Sequence, residues 1–270
     1  MEPVKPLDTA AAEAYEKLIL PAFMLPLIKD VIELAAPRPG ERALDVACGT
    51  GLATRLVAPR LAPGGTMAGL DFDPAMIAVA QTIVECPASV SLSWHCASAQ
   101  AMPFEGGFFD LAFCLQGPQF FPDPVAGLAE IRRVMKKPGG RLFVTVWSAL
   151  ERCRGHYLVM RALERRQVDP TPLVKAFSLG DADKVRGLAA EAGFRDVSVS
   201  PAGARARFPS ARHFIDALAA GAVAARHALA RLPDDQRAAF LEEMKAEFRQ
   251  YEDGDGVATP IEQLVLVARA

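Results

Sequence analysis

The sequence predicts an α/β fold, a largely parallel sheet with helices on both faces. Three observations carry this. Between residues 42 and 147, short apolar runs alternate with segments of helical periodicity, which is the rhythm of a βαβ chain. Proline–glycine punctuation such as Pro63-Gly64-Gly65 and Pro138-Gly139-Gly140 separates several of them,. The first run, Arg42–Ala47, leads directly into Gly49-Thr50-Gly51 and a helical pattern. A glycine turn at the carboxyl end of a strand is where an open α/β sheet takes its ligand.

The elements follow in order. Residues 8–20 have helical periodicity, with Asp8 or Thr9 as N-cap; Pro21 and Pro26 break it, and a second amphipathic run covers Leu25–Ala36,. These front helices are expected either to lie over the ligand as a lid (residues 1–41) or to pack on the sheet edge. Strand one is Arg42–Ala47 and its helix Leu52–Leu61. Strand two is Thr66–Leu70, ending in Asp71, with the next helix starting at Pro74 behind the N-cap Asp73,. Strands three, four and five are Val90–His95, Phe109–Leu115 and Arg141–Trp147, with the helix Pro124–Met135 before the last. Beyond it come a helical run, Gly155–Arg166, a Pro-containing loop, the helix Asp181–Ala192 and a sixth strand, Asp196–Ser200. Residues 201–260 read as mostly helical (Ala211–Ala220, Val223–Leu232, Asp234–Tyr251), and Ile261–Ala268 closes the chain as a strand.

Composition narrows the function classes. The 270 residues are 51% hydrophobic and 23% charged, as in a globular chain with a full core,. A net charge of −2 leaves no basic footprint for nucleic acid,. The five cysteines are scattered, and Cys48, Cys96 and Cys114 read as buried free thiols,. No CxxC spacing occurs and the four histidines are far apart, so no metal site is expected,. No signal peptide is apparent, and Asp216, Arg226 and His227 spoil the apolar stretch Phe214–Ala230 as a membrane span,. A cytoplasmic enzyme or binding protein is expected.

Two acidic residues give the glycine turn its character. Asp45 sits inside the apolar first strand, four residues before Gly49. A carboxylate there needs partners: the backbone N–H groups of the turn, or the amino group of a ligand, the second being favoured by the AspxxxGxG pattern. Asp71 follows Gly51 by 20 residues, the spacing at which an acidic side chain takes the hydroxyls of a ribose. Asp73 can already serve as the helix cap, which leaves Asp71 free for that role. Phe72 and Met76 could sandwich a purine, or simply be core.

The chain resembles the class I S-adenosylmethionine-dependent methyltransferases, within the ubiquinone/menaquinone-methyltransferase-like group acting on small molecules. The resemblance rests on Leu44-Asp45-Val46-Ala47-Cys48-Gly49-Thr50-Gly51, Leu70-Asp71-Phe72-Asp73-Pro74-Ala75-Met76, Ala97–Phe104, Phe109-Asp110-Leu111 and Glu130–Gly140, in that order. It implies a Rossmann-like seven-stranded sheet, ordered 3-2-1-4-5-7-6 with the last strand antiparallel, with strand six at 196–200 and the final strand at 261–268. It also implies S-adenosyl-L-methionine as cofactor. Ala47, Gly49, Thr50 and Gly51 would then hold the methionyl part and Asp45 would lie behind them. Asp71 would bind the ribose, Ser98 and Ala99 would meet the adenine, and Leu115 and Gln116 would border the transferred methyl. The family often has Asp where this chain has Ser98, so the adenine contact is expected to weaken or to shift to Gln100 or to backbone.

Methyl transfer from a sulfonium is a direct displacement at an already activated carbon, so the protein mainly has to align the reactants. A base is needed only for a hydroxyl or a protonated amine. His156, in the helical run beyond strand five, is the best candidate for one, against the plainer reading of a packing histidine. Phe120 and Phe121, in the loop after strand four, either line an acceptor pocket or pack the next helix. The additions at 148–180 and 201–260 are expected to cap a small, largely apolar acceptor. Alternatively their apolar stripe (Phe240, Leu241, Met244, Phe248) would join two copies as a homodimer. The domain scheme is thus a lid over 1–41, a binding core over 42–200 and 261–270, and a helical cap over 201–260. Two other functions compete: a non-catalytic S-adenosylmethionine-binding protein, and an NAD-dependent oxidoreductase, disfavoured by Thr54 at the third glycine position.

Overall fold

Five apolar runs become five parallel strands: β1 (Arg42–Val46), β2 (Thr66–Asp71), β3 (Ser91–Cys96), β4 (Leu111–Leu115) and β5 (Arg141–Trp147). The computed structural model describes residues 7–270. It extends the sheet with β6 (Arg195–Phe208), the two-residue β7 (Glu252–Asp253) and β8 (Gly256–Arg269). The order is β3-β2-β1-β4-β5-β8-β6, with β8 antiparallel to both neighbours and β7 paired only to β8. With β8 as the seventh strand, this is the order expected from the sequence. Alternate residues of each strand face opposite sides of the sheet. Ala43, Met67, Leu111 and Phe143 enter one core, and Leu44, Ala68, Ala112 and Leu142 enter the other.

The helices are α1 (Ala10–Ala14), α2 (Leu25–Ala35), α3 (Leu52–Val57), α4 (Pro74–Ile83), α5 (Pro124–Val134), α6 (Arg154–Arg165), α7 (Thr171–Lys175), α8 (Ala182–Glu191), α9 (Ala211–Gly221), α10 (Val223–Leu229) and α11 (Asp234–Phe248). Side-chain caps start several of them. Asp73 accepts from Ala75 N at 2.8 Å and Asp123 from Ala126 N at 3.0 Å, each satisfying an otherwise unpaired N–H. Helices α5 and α8 cover one face of the sheet. The front helices, α3, α6 and α9 to α11 build the other.

Four sequence expectations change. Pro21 does not end the first helix: residues Tyr15–Met24 form a wide π-helical stretch that joins α1 to α2 with Pro21 inside it. A proline lacks the N–H and collides with the carbonyl four residues back, and a wider turn relieves both problems without a break. Strand six runs to Phe208 rather than Ser200, because β6 is the sheet edge. There Pro201 pairs opposite Leu264, and an edge tolerates a missing N–H. The inserted segment therefore begins with eight residues of strand, and β8 takes its end from Gly256. Cys96 is exposed, unlike the buried Cys48 and Cys114. Finally, Phe240, Met244 and Phe248 on α11 are at most 1% exposed. Their stripe is consumed within the chain and is not available to join two copies.

Residues 1–6 of the expected lid lie outside the described residues. Among the described residues, no helix is long and apolar enough to cross a membrane.

Candidate functional site

The carboxyl ends of β1, β2 and β4 form one rim. Three residues of the first turn have left-handed backbone: Ala47 (φ 55°), Gly49 (54°) and Gly51 (84°). Gln116, just past β4, is left-handed as well (φ 61°). Non-glycine residues held there cost free energy and tend to mark functional sites. Glycine is required at Gly51, where a Cβ would lie 2.8 Å from the Trp94 ring and 2.9 Å from Val84. Cys48 N donates to Leu70 O at 3.0 Å and so ties the turn to β2.

Asp45 is 2% exposed, and its Oδ2 accepts from Thr54 N (3.1 Å) and Thr54 Oγ1 (2.9 Å). The partner is thus the helix that follows the turn. Loss of water pushes the Asp45 pKa up to about 7, with the Thr54 bonds opposing the shift and the Asp71 charge adding to it,.

Asp71 ends β2 at 6% exposure. Its Oδ2 accepts from Gly49 N at 2.8 Å and its Oδ1 from Asp73 N at 2.9 Å. Burial raises its pKa above the ordinary carboxylate value. A carboxylate offers about four acceptor sites, so two bonds leave capacity for a ligand's hydroxyls. Beside it Phe72 is 75% exposed, an unusual position for a phenylalanine, while Met76 is half-buried. Ser98 is exposed and its Oγ accepts from Gln100 N at 3.1 Å. Ala97 N donates to Asp71 O at 2.9 Å, which brings Ser98 and the half-buried Ala99 to the same rim.

Two residues of the front helix that sequence reasoning missed reach this rim. Glu16 Oε2 accepts from Thr50 Oγ1 at 2.5 Å, and Glu16 Oε1 accepts from Arg55 at 2.9 Å. Tyr15 lies against the turn: a Cβ on Gly49 would sit 3.6 Å from its ring. Burial, then the charges of Asp71, Glu16 and Asp45, raise the Tyr15 pKa well above its ordinary value. A helical stripe predicts that the front segment is buried but not what it meets. Only the polar pair Tyr15-Glu16 on its otherwise apolar flank could have hinted at it.

Past β4 a run of amides crosses the site. Gln119 Nε2 donates to Gln116 Oε1 (3.0 Å), Gln116 Nε2 to Gln263 Oε1 (3.3 Å), and Gln263 Nε2 to Leu27 O (3.1 Å). A carbonyl can only accept, so Leu27 O sets the orientation of all three amides. Gln116 also lines an apolar cavity of about 120 Å³ between the front helix, β5, α6, α9 and α10, with Phe120 at its edge and His156 in its wall. Phe121 instead packs against α5, over Gly127. His156 is 7% exposed and enclosed by aromatic rings. Its Nδ1 is buried without a hydrogen-bond partner, and burial alone pulls its pKa down to about 4. An effective base has its second nitrogen held by an acceptor, and His156 has none. A larger open depression of about 510 Å³ lies at the β6–β8 edge and shares none of these residues.

A family described as "Methyltransferase domain" matches residues 44–144. The ubiquinone/menaquinone biosynthesis C-methyltransferase UbiE of Shewanella frigidimarina is 31% identical over 162 residues, covering 60% of this chain and 62% of its own length. The demethylmenaquinone methyltransferase of Thermus thermophilus is 37% identical over 113 residues, covering 42% and 50%. The chain thus spans less than two thirds of these relatives. Among solved structures, phosphoethanolamine N-methyltransferase 2 of Haemonchus contortus in complex with S-adenosyl-L-methionine aligns over 97% of this chain and 57% of its own (TM-score 0.58, 21% identity). The YcgJ protein of Bacillus subtilis aligns over 90% and 97% (TM-score 0.58, 16% identity). At such identities these two speak to the fold.

Proposed function

We propose that this chain, whose residues 44–144 match the methyltransferase-domain family, binds S-adenosyl-L-methionine at the glycine turn and passes its methyl group to a small, largely apolar acceptor. The observation that carries this reading is the sign of the charge around the turn. Asp45 and Asp71 are buried there, Glu16 stands beside them, and the guanidinium that reaches the turn, Arg55, is already engaged by Glu16 and Thr50 O. A ligand bearing an ammonium and a sulfonium meets complementary charge here. The pyrophosphate of a dinucleotide meets like charge, which works against the oxidoreductase alternative.

The residues present fit the cofactor. Ala47, Gly49, Thr50 and Gly51 form a small-residue cradle for its methionyl part, and Asp45 braces that cradle through Thr54. The spare acceptor sites of Asp71 take the ribose hydroxyls. Exposed Phe72 and half-buried Met76 flank the purine, with Ser98 and Ala99 at its edge. Leu115 and Gln116 separate this ligand from the cavity. Bound there, the cofactor would supply an activated sulfonium methyl group for direct displacement by the acceptor's lone pair, with the carbon–sulfur electrons returning to sulfur; a proton on the acceptor would pass to solvent after the transfer, as the products leave. The chain's own part is alignment and exclusion of water by apolar walls. Tyr15 and Glu16 support the front helices as a lid, and α9 and α10 support the inserted helices as a cap. Methylation at carbon, for which the UbiE relative is named, is one form of this chemistry, and oxygen and nitrogen are the others.

Calorimetry with S-adenosyl-L-methionine, S-adenosylhomocysteine and NADH tests the reading. The two sulfur ligands should bind, and Asp71→Ala should weaken both tenfold to a hundredfold, since hydrogen bonds to a charged group are worth about 1.5–3 kcal/mol. Binding of NADH with none of S-adenosyl-L-methionine would overturn it.

A further inference from the structure

We infer that the acceptor is an uncharged molecule about the size of one ring, and that His156 holds its polar group as a neutral imidazole instead of taking its proton. This rests on the methyltransferase reading of the adjoining turn.

Size comes first. The cavity is about 120 Å³, near the ~150 Å³ of an engineered cavity in another protein that takes up benzene. Charge comes second. Among the described residues, no Asp, Glu, Lys or Arg side chain lines this cavity; its polar side chains are those of Tyr15, Gln116, Trp147 and His156. A carboxylate, phosphate or ammonium on the acceptor would lose its water and find no counter-charge in the wall, which is strongly unfavourable.

The third argument is the setting of His156. Phe23 from the front helix, Phe177 beyond α7, Phe214 from α9 and Trp147 from β5 surround its ring, at 5.1, 5.5, 5.8 and 6.0 Å between centroids. None of the four is ionisable, and Tyr15 is the other titratable group of the cavity wall. An imidazolium would place a second N–H among these rings with nothing to accept it, since Nδ1 already lacks a partner. The ring therefore stays neutral through the working pH range. Its free hydrogen-bonding capacity is available to one polar group on the acceptor, in a cavity whose wall also holds the pre-oriented amide of Gln116.

The test uses the full chain loaded with S-adenosylhomocysteine and four probes: phenol, toluene, benzoate and benzylammonium. Ligand-observed NMR gives each dissociation constant. Phenol should bind at least tenfold more tightly than benzoate or benzylammonium. A phenol's pKa is ~10, so the probe itself stays neutral, and its affinity should be flat from about pH 5.5 to 8.5 because His156 does not titrate there. His156→Phe should weaken phenol at least fivefold and leave toluene within twofold, while His156→Gln should restore part of the loss. Equal affinity for a charged probe would overturn the inference. So would a phenol affinity with a midpoint near pH 6–7. Both of these are read on the unmutated chain first, so they stand even if a variant folds poorly. S-adenosylhomocysteine binding is measured in the same samples. If it fails, the methyltransferase reading falls, while the probe series on the free chain still decides the character of the cavity.

Discussion

Asp45→Asn should stabilise the cofactor-free chain at pH 8 and do little or slightly destabilise it at pH 5. Asp45 is buried, with its pKa raised from 3.8 to about 7. A carboxyl whose folded pKa lies above its unfolded one contributes most below the unfolded value and loses that contribution as pH rises through the folded one. At 1.36 kcal/mol per pH unit, ionisation of the unfolded chain costs the native state about 4 kcal/mol by pH 8 and about 2 kcal/mol at pH 5. Asparagine removes both costs. Its Oδ1 can accept both Thr54 bonds, now made by Asp45 Oδ2, while its buried NH₂ costs about 1–3 kcal/mol if unpaired. The net gain at pH 8 is then about 1–3 kcal/mol. The amide cost cancels in the comparison of the two pH values, leaving a difference of about 2–3 kcal/mol from the ionisation alone. Urea unfolding of both proteins at pH 5, 6.5 and 8, without ligand and at matched slopes, measures it. An effect of Asp45→Asn that is the same at every pH would refute the reasoning. Affinity for S-adenosyl-L-methionine should move the other way and fall at pH 8, because a cation there favours the ionised carboxylate that asparagine lacks.

Two further perturbations probe the lid and the cap. Glu16→Ala removes its contacts to Thr50 and Arg55; the Glu16 and Arg55 side chains are 23% and 24% exposed, so about 0.5–1 kcal/mol is at stake, cofactor dissociation in stopped flow should quicken severalfold, and an unchanged rate would show that Glu16 does not latch the lid. Gly221→Ala places a methyl 2.7 Å from Tyr15 N and 2.8 Å from Ala14 C; backbone cannot yield as a side chain does, so a loss of about 1–3 kcal/mol is expected in urea. Gly187→Ala is its counterpart, on exposed α8 with nothing within 4 Å, and should gain about 0.5–1 kcal/mol.

The inner parallel strands β1, β2, β4 and β5 were legible because each is a nearly continuous apolar run between turn signals, a pattern set by burial on both faces; β3, at one edge, alternates instead. The other edge was not legible. Pro201 and Gly203 stop a central strand, but β6 is bonded on one side only, along β8, and whether a strand is central or at the edge is decided by its neighbours. The same holds for the acceptor cavity. His156 was visible as a histidine in an inserted helix, and its spacing suggests a base as readily as a packing residue. What decides is the set of rings from four separate elements around it, which no local window contains.

Asp45 and Thr54 show where a reading of single positions falls short. Thr54 stands at the third position of a dinucleotide glycine pattern, and in the sequence it counts only as a missing glycine. In the fold it supplies both donors that hold Asp45. A glycine at 54 could supply the N–H but not the hydroxyl, so a chain with Asp at 45 gains from Thr at 54 precisely what a dinucleotide site gives up. The strand carboxylate and the departure from the glycine pattern are therefore one feature. It braces the start of α3 from within and, as it ionises, places negative charge beneath the turn. On the reading proposed above, the preference for a cationic ligand over a pyrophosphate starts at these two positions, nine residues apart,.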